Sequence, residues 1–147
     1  MGLFQAFNIS TTGMTAQRFR TDIIAENIAN VNTTRNENDE PYRRKIVTFQ
    51  EKNVTPFSYF FSTSKNPSVG NGVKVSRVTE DYSTDFIMEY DPANPDADEN
   101  GYVSYPNVNT VTEMTDLIDA TRSYEANATA FEASKSMAQT GLTIGQS

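Results

Sequence analysis

The stretch Asp22–Thr34, DIIAENIANVNTT, decides how the N-terminal part of the chain folds. Its isoleucine and valine residues recur at intervals of four and three, which is the spacing of an amphipathic helix. Asparagines then crowd the same stretch, although asparagine is a mediocre helix former whose short amide competes for nearby backbone groups. We predict that a helix ends here and that Asn27 and Asn30 have a role other than helix formation.

Towards the N-terminus the same intervals continue as a seam in which six of nine positions are apolar. A second stripe lies about 110° further round the helix. Asn27 and Asn30 close this second stripe, and we expect them to lie away from the intramolecular seam. The helix predicted for residues 1–31 thus has two faces for partners. The seam is Leu3, Phe7, Ser10, Met14, Gln17, Thr21, Ile24, Ile28 and Val31, and the second stripe begins with Ala6, Ile9, Gly13, Ala16, Arg20 and Ile23.

The C-terminal part of the chain predicts a second long helix, within residues 108–147. Thr110-Val-Thr-Glu113 is a capping-box sequence, with Thr110 at the cap and Glu113 three residues later. Gly141 predicts the end of the helix. From residue 110 to 140 it would be about 45 Å long, too long for the core of an ordinary domain of this size. Its seam is Met114, Leu117, Thr121, Tyr124, Ala128, Phe131, Lys135, Ala138 and Leu142.

Neither helix is expected to be stable alone. The first contains Gly13 and several β-branched residues, which are unfavourable in isolated helices. Polar residues interrupt both seams. We therefore predict that the two termini fold mainly when other chains pack against them.

The middle of the chain predicts strands and loops. Segments 43–50, 58–62 and 72–78 have strand composition, and segments 85–90 and 101–105 predict a hairpin with a long polar tip. The expected fold is α+β, with long terminal helices paired as a coiled-coil-like layer. Residues 1–31 and 108–147 would form the helical part, and residues 32–107 a small β-rich middle domain.

The composition excludes several kinds of function. The 147 residues include no cysteine, histidine or tryptophan. This removes disulfides, the common zinc sites and any nucleophile activated by an imidazole. The opening MGLFQAFNIS has no positive charge, so we do not expect a Sec-type signal peptide. No segment approaches the roughly 20-residue apolar run of a transmembrane helix, so we expect no membrane insertion.

The formal net charge of −7 conceals a division along the chain. Residues 1–77 contain ten basic and six acidic residues, whereas residues 78–147 contain two and thirteen. The acidic balance argues against nucleic acid as a partner. A chain with one basic and one acidic half can attract copies of itself head to tail. The alternative is that both halves are simply solvated faces.

The sharpest candidate for a chemical site is Asp96-Ala-Asp98-Glu-Asn100-Gly101, which matches the first six positions of an EF-hand calcium loop. Such a loop needs a bidentate acid at its twelfth position, where this chain has Asn107, and prolines stand where the flanking helices should be. The alternative is a polar hairpin tip. A calcium-binding interaction module using the 91–101 loop remains an alternative function, and we predict no cofactor.

Patterns for catalysis or anion binding are weak. Asp85, Glu89 and Asp91 could pair for acid–base chemistry, but no apolar pocket is evident around them. Arg43-Arg44-Lys45 could grip an anion, but with Glu40 nearby an exposed strand or an inter-subunit salt bridge fits better. We predict that the protein is not an enzyme and has no small-molecule substrate.

Several segments resemble the bacterial flagellar axial proteins, which are the rod and hook components. Residues 8–34 are similar to their N-terminal signature, and Ala25–Thr33 resembles its most characteristic pattern, ANNLANxxT. Segments 39–50, 72–78, 90–114 and 120–137 resemble specifically the proximal rod members of the family.

The resemblance implies a non-enzymatic subunit of the flagellar rod, the drive shaft between the inner-membrane ring and the hook. It implies export by the flagellar type III apparatus without a cleaved signal, and partners that include copies of itself, other rod proteins, the inner-membrane ring and the export-gate adaptor. Another rod or hook component is an alternative, although the short middle segment argues against the hook. The predicted subunit-packing residues are Met14, Ile24, Asn27, Ile28, Asn30, Val31, Arg43, Arg44, Met114, Leu117, Tyr124 and Phe131.

Overall fold

The computed structural model describes residues 3–36, 39–52 and 70–145. The fold is α+β, as predicted, with one long helix near each end of the chain and antiparallel strands between them. The predicted strand at 58–62 lies outside the described residues. The elements in chain order are α1 (Leu3–Ala29), β1 (Lys45–Glu51), β2 (Val73–Glu80), β3 (Ile87–Tyr90), β4 (Tyr102–Tyr105) and α2 (Thr110–Ile144).

α1 ends inside the asparagine-rich stretch. The backbone N–H of Asn30 donates to the Glu26 carbonyl at 3.1 Å, and the Asn30 side-chain amide donates to the same carbonyl at 2.9 Å. The Thr33 N–H then donates to the Asn30 carbonyl at 3.0 Å. Asn30 therefore caps the last turn of the helix, after which the chain continues to β1.

α2 begins with a different cap from the predicted one. Asn109 Oδ1 accepts hydrogen bonds from the backbone N–H groups of Val111 at 3.0 Å and Thr112 at 3.1 Å. Asn109, not Thr110, is therefore the N-cap residue. The prediction of a capping box is wrong, because the Glu113 carboxylate accepts hydrogen bonds from the side chains of Arg44 and Asn27 instead.

The predicted end of α2 at Gly141 is also wrong, since the helix continues to Ile144. The N–H of Gly145 still donates to the Gly141 carbonyl, at 3.2 Å. A glycine inside a helix costs about 1 kcal/mol relative to alanine, which weakens a helix without ending it. None of the helices among the described residues combines the length and apolar character needed to cross a membrane.

The four described strands form two separate two-stranded sheets. At one end of the β1–β2 pair, the Lys52 N–H donates to the Gly72 carbonyl at 2.9 Å. At the other end, the Asp81 N–H donates to the Arg44 carbonyl at 2.8 Å. The start of each strand thus lies beside the end of the other, which makes the pair antiparallel.

β3 and β4 form the predicted hairpin. Ile87 lies opposite Tyr105, and Tyr90 lies opposite Tyr102. The Asp91 N–H donates to the Gly101 carbonyl at 3.0 Å and closes the tip. Gly101 has a φ of 81°, a left-handed conformation that glycine adopts without steric cost.

The contacts divide the chain into two compact units. The first unit comprises Met1–Phe19, Phe49–Ser76 and Ala120–Ser147, and the second comprises Arg20–Thr48 and Arg77–Asp119. Each unit combines part of both helices with part of the strands. The predicted division into terminal helices and a middle domain, at residues 31/32 and 107/108, stays a prediction.

Within the first unit, small side chains let the two helices approach closely. A Cβ atom at Gly13 would lie only 2.7 Å from Asn127 Oδ1. The rings of Phe7 and Phe131 are tilted, with centroids 5.0 Å apart. Because Phe7 meets Phe131 while Gly13 meets the earlier Asn127, the helices run antiparallel in this unit.

The second unit has a small core in which buried polar residues are as prominent as apolar ones. Buried polar groups are costly unless they are hydrogen-bonded, so this core must contain a connected network. The buried residues are Ile24, Val103, Pro106 and Val108, together with Asn27, Asp81, Asn107 and Glu113.

Candidate functional site

Asn27 lies inside the core of the second unit, with only 1 % of its surface exposed. Its Nδ2 donates to the Lys45 carbonyl at 2.9 Å and to Glu113 Oε2 at 3.0 Å. Its Oδ1 accepts from the Lys45 N–H at 2.9 Å and from the Tyr42 hydroxyl at 2.8 Å. All four hydrogen-bonding positions of the amide are therefore occupied.

This position corrects the expectation that Asn27 lies away from the intramolecular packing. The amide binds both backbone groups of Lys45, as the backbone of a neighbouring strand would. The end of α1 is thereby attached to the first residue of β1. The amide satisfies backbone groups of the chain itself, and its predicted contact with another subunit stays a prediction.

Glu113 is a fully buried carboxylate, with 0 % of its surface exposed, and it receives two hydrogen bonds. Arg44 Nε donates to Oε1 at 2.6 Å, and the Asn27 amide donates to Oε2. One turn further along α2, Asp116 accepts from Arg20 at 3.0 Å and from Arg44 at 3.5 Å. Two arginines thus balance two acids, which is the condition for keeping a carboxylate inside a protein core.

Tyr42 completes this network as a donor. Burial raises the pKa of its hydroxyl well above the usual range, and the nearby carboxylates of Glu26 and Glu113 raise that pKa further. The phenol therefore stays protonated and donates to Asn27. We call Arg20, Asn27, Tyr42, Arg44, Lys45, Glu113 and Asp116 the polar cluster.

Asn107 attaches a second loop to the polar cluster. Its Oδ1 accepts from the Arg44 N–H at 2.9 Å, and its Nδ2 donates to the carbonyls of Asp81 at 3.0 Å and Thr84 at 3.1 Å. The hydroxyl and N–H of Ser83, and the hydroxyl of Thr84, donate to the Asp81 carboxylate and lower its pKa to about 2. The β2–β3 loop is thus held by side chains at both ends.

Arg43 is used differently from Arg44, although both come from the predicted basic patch. Its guanidinium carbon lies 4.1 Å from the ring centroid of Phe86 and 4.5 Å from that of Tyr82, which is cation–π geometry. Both arginines therefore make contacts within the chain. Their predicted salt bridges to another subunit stay a prediction.

The stripe of α2 that faces the interior is displaced by one residue from the predicted seam. Glu113, Ala120 and Ser134 are buried, whereas Met114 and Tyr124 of the predicted seam are 52 % and 40 % exposed. Met114 and Tyr124 are therefore largely open to solvent in the single chain, and their predicted role in subunit packing stays a prediction. A search for apolar spacing overlooks this stripe, because it consists of small residues and of acids that only become acceptable when arginines pair with them.

The other predicted packing residues are either partly exposed or in contact with residues of their own unit. Ile24 is buried, Phe131 meets Phe7, and Asn30 bonds Glu26. Met14, Ile28, Val31 and Leu117 are partly exposed. Their predicted contacts with other subunits are not seen in a single chain and stay predictions.

Three of the seven residues of the polar cluster could not be assigned to it from the sequence. Tyr42 and Asp116 were not singled out, and Glu113 was assigned to a helix cap. One signal was available, since Arg20 interrupts a stripe of otherwise apolar or small residues, and a charged residue on a packing face is expected to pair with an acid.

α2 also presents an apolar stripe to the outside. Val111, Met114 and Ile118 are 75 %, 52 % and 54 % exposed. Their spacing of three and four residues places them on one face of the helix. We call these three residues the α2 stripe.

The first unit contains a groove between α1 and β2, with a volume of about 330 Å³. Thr12, one of its lining residues, joins the two elements: its hydroxyl accepts from the Val73 N–H at 3.2 Å and donates to the Ile9 carbonyl at 2.8 Å. The described residues that line it are Thr11, Thr12, Thr15, Ala16, Phe19, Lys52, Val73, Lys74 and Val75. We call it the α1–β2 groove.

The carboxylates of the proposed calcium loop are engaged in other contacts. Asp98 Oδ1 accepts from the N–H groups of Asn100 and Tyr102, both at 2.8 Å. Asp96 accepts from the Thr34 hydroxyl at 2.7 Å and pairs with Arg35 at 3.5 Å. Across residues 3–36, 39–52 and 70–145, no group of three acidic side chains is placed to hold a metal ion.

Two family models match the two helical ends of the chain. The model described as "Flagella basal body rod protein" matches residues 7–35. The model described as "Flagellar basal body rod FlgEFG protein C-terminal" matches residues 99–144. Asn27 lies within the first match and Glu113 within the second, whereas Tyr42, Arg44 and Lys45 of the polar cluster lie between the two matched segments.

Curated relatives are similar over almost the whole chain. The flagellar basal-body rod protein FlgC of Bacillus subtilis is 48 % identical over 152 aligned positions, covering 99 % of this chain and 100 % of the relative. The protein of the same name from Borreliella burgdorferi is 44 % identical and covers 99 % of each chain. That of Escherichia coli is 38 % identical and covers 99 % of this chain and 100 % of the relative.

Proposed function

Because the chain belongs to the family of flagellar basal-body rod proteins and is a structural subunit of the rod, we propose that it polymerises through its terminal helices. In this role it forms part of the shaft that transmits torque. The subunit works by being stiff within the assembly, and it catalyses no reaction.

The observation that carries the proposal is the α2 stripe. Three large apolar side chains at helical spacing face solvent, while the opposite side of the same helix buries charged groups in the polar cluster. Such a helix has its outward apolar face free to pack against another subunit, and exposed contiguous apolar patches commonly mark interaction sites. The polar cluster fixes the helix on its inner side.

We propose copies of the chain and other rod proteins as direct neighbours, with the inner-membrane ring and the export-gate adaptor at the base. The location is the periplasmic rod, reached through the flagellar type III apparatus without a cleaved signal. The names of the relatives support the rod itself. The ring, the adaptor and the export route rest on the resemblance of the sequence.

Arg43 and Arg44 enter this proposal through their neighbours. Arg44 neutralises Glu113 and Asp116, and Arg43 holds the rings of Tyr82 and Phe86. Both therefore support assembly by keeping the second unit in shape, in addition to any charge contact with another subunit.

The test is the substitution Ile118→Gln, which makes the centre of the exposed stripe polar while retaining a good helix former. We expect rod assembly and swimming to be strongly reduced, and the folded state of the purified chain to be unchanged by circular dichroism. The matched control is Asp119→Gln, which changes the next exposed residue about 100° away on the helix.

The assay is complementation of a strain that lacks this chain, scored by swimming and by the recovery of rods in basal-body preparations. Normal rods in the Ile118→Gln strain would contradict the proposal. An equal loss of swimming and rods in the Asp119→Gln strain would show that α2 tolerates no surface change. The α2 stripe would then not be a specific contact surface.

A further inference from the structure

The sequence contains two Asn-Gly dipeptides, Asn71-Gly72 and Asn100-Gly101. An asparagine followed by glycine can react with its own backbone, because glycine has no Cβ to keep the amide nitrogen away from the asparagine side chain. The two dipeptides share this chemistry, but their surroundings differ. The hydrogen bonds around each one indicate which of them is able to react.

The reaction is an intramolecular displacement at the side-chain amide. The backbone nitrogen of the glycine attacks Cγ of the asparagine, and the new C–N bond closes a succinimide ring. The side-chain nitrogen leaves as ammonia and takes the glycine N–H proton with it. Water then opens the ring at either carbonyl, which gives aspartate or isoaspartate. The overall change is asparagine and water to an acid and ammonia, so water is the single co-reactant.

Asn100 is held in a geometry that opposes this reaction. The Gly101 N–H, whose nitrogen would have to attack, donates to the Asp98 carbonyl at 3.0 Å. The N–H groups of Asn100 and Tyr102 both donate to Asp98 Oδ1, at 2.8 Å. Hydrogen bonds therefore fix the backbone on both sides of the dipeptide, and the Gly101 nitrogen must leave one of them before it can approach Cγ.

Asn71-Gly72 has no such restraint among the described residues. Within residues 3–36, 39–52 and 70–145, the Gly72 N–H has no acceptor and the Asn71 side chain has no hydrogen-bond partner. Asn71 is also partly exposed, so water can reach the ring that would form. The attacking nitrogen and the side-chain amide of this dipeptide are therefore both available.

The glycine of this dipeptide is required by the packing of β2 against α1. Gly72 has a φ of 95°, and a Cβ atom there would collide with Thr12 Oγ1. The Val73 N–H donates to that same hydroxyl at 3.2 Å, and the Gly72 carbonyl accepts from the Lys52 N–H at 2.9 Å. The fold therefore places a reactive dipeptide where β2 is attached to both α1 and β1.

We propose that Asn71 is a site of spontaneous covalent modification, at which the succinimide forms and opens to aspartate and isoaspartate, while Asn100 is preserved. Isoaspartate carries the main chain through its side-chain carbon, which lengthens the backbone by one methylene immediately before Gly72. Because Gly72 fits closely against Thr12, the longer backbone separates Val73 from Thr12 and weakens the attachment of β2 to α1. This chemistry is independent of the proposed function, because it needs only the folded chain and water.

The test is to incubate the purified full-length chain at neutral pH and to follow both asparagines by peptide mass spectrometry. In the folded chain we expect Asn71 to be converted about tenfold faster than Asn100, because hydrogen bonds oppose the reaction at Asn100 alone. In guanidinium chloride these bonds are lost, and the two rates should become similar. The proposal is overturned if Asn100 is converted as fast as Asn71 in the folded chain, or if Asn71 stays intact there.

The effect on the fold is measured with Asn71→Gln, which keeps an amide but closes the corresponding larger ring much more slowly. Enzymatic methylation of isoaspartate shows how much of each incubated chain has reacted. We expect incubated wild-type chain to unfold at a lower temperature than fresh chain, and Asn71→Gln to be unchanged by incubation. The control Asn100→Gln should change with time as the wild type does. An unchanged unfolding temperature in wild-type chain that contains isoaspartate at position 71 would overturn the weakened attachment of β2 to α1.

Discussion

At the scale of a residue, Asn27 shows why an asparagine stands where a better helix former was expected. The N–H and C=O of Lys45 both need partners, and a single amide supplies an acceptor and a donor to the same residue. An apolar side chain would leave both backbone groups unpaired. A carboxylate would lack the donor and would place a second negative charge beside Glu113.

The substitution Asn27→Asp is therefore expected to lower the free energy of unfolding by about 3 kcal/mol, because it keeps the shape and breaks the buried network. The control is Asn8→Asp, on the exposed side of α1, which should change it by less than about 0.5 kcal/mol. Urea denaturation followed by circular dichroism measures both. A midpoint for Asn27→Asp equal to that of the wild type would show that the amide donor contributes nothing.

The Asp81 carboxylate predicts a dependence of stability on pH. Its folded-state pKa is about 2, below the ordinary value of 3.8, because Ser83 and Thr84 donate hydrogen bonds to the ionised form. The ionised carboxylate therefore stabilises the fold above about pH 4, and this contribution is lost as the pH falls towards 2. In Asp81→Asn we expect lower stability at pH 7 and a smaller further loss between pH 4 and 2.

The measurement is the free energy of unfolding at several pH values, compared with Asp119→Asn to account for the loss of one exposed carboxylate. If Asp81→Asn loses as much stability between pH 4 and 2 as the wild type, the hydrogen bonds from Ser83 and Thr84 do not favour the ionised form in solution.

At the scale of elements, local periodicity was enough to predict both helices, two strands and the hairpin, because these depend on nearby residues. It did not predict which side of α2 is buried. Glu113 can be buried only because Arg44, 69 positions away in the sequence, pairs with it. A local sequence pattern cannot predict a pair at that separation. The N-cap was missed for a smaller reason, since Asn109 and Thr110 are both good caps and backbone geometry decided between them.

The close approach of the helices at Gly13 gives an element-scale prediction. Alanine is favoured over glycine within a helix by about 1 kcal/mol, but its Cβ would lie 2.7 Å from Asn127 Oδ1. The Asn127 amide donates to the Ser123 carbonyl at 2.8 Å, so moving it costs about 1 kcal/mol. We expect Gly13→Ala to leave stability almost unchanged.

In an Asn127→Ala background, the same Gly13→Ala change should stabilise the chain by about 1 kcal/mol, because the clash is gone. Gly141→Ala is the control for propensity alone, since a Cβ there meets nothing within 4 Å. A double-mutant cycle by thermal unfolding measures the coupling. A coupling energy near zero would mean that the helices do not approach closely at this point.

At the scale of the whole molecule, the sequence predicted that the termini would fold mainly in the assembly. The structure restricts this expectation to the outer ends of the two helices. α1 and α2 meet in both units, and the polar cluster holds them in the second. Their outer ends are different. Phe4, Met137 and Leu142 are 83 %, 65 % and 69 % exposed, so little packing resists local opening there.

Limited proteolysis of the free chain with chymotrypsin should therefore cut first at Phe4 and beyond Ala138, while Tyr42 and Tyr105 resist. Mass spectrometry of the early fragments identifies the sites, and rods isolated with the basal body should be protected at the same ends. Early loss of all residues up to 31 and from 108 onwards would instead mean that both helices form only on assembly. The polar cluster would then be a product of polymerisation, because Asn27 and Glu113 cannot meet unless both helices are in place.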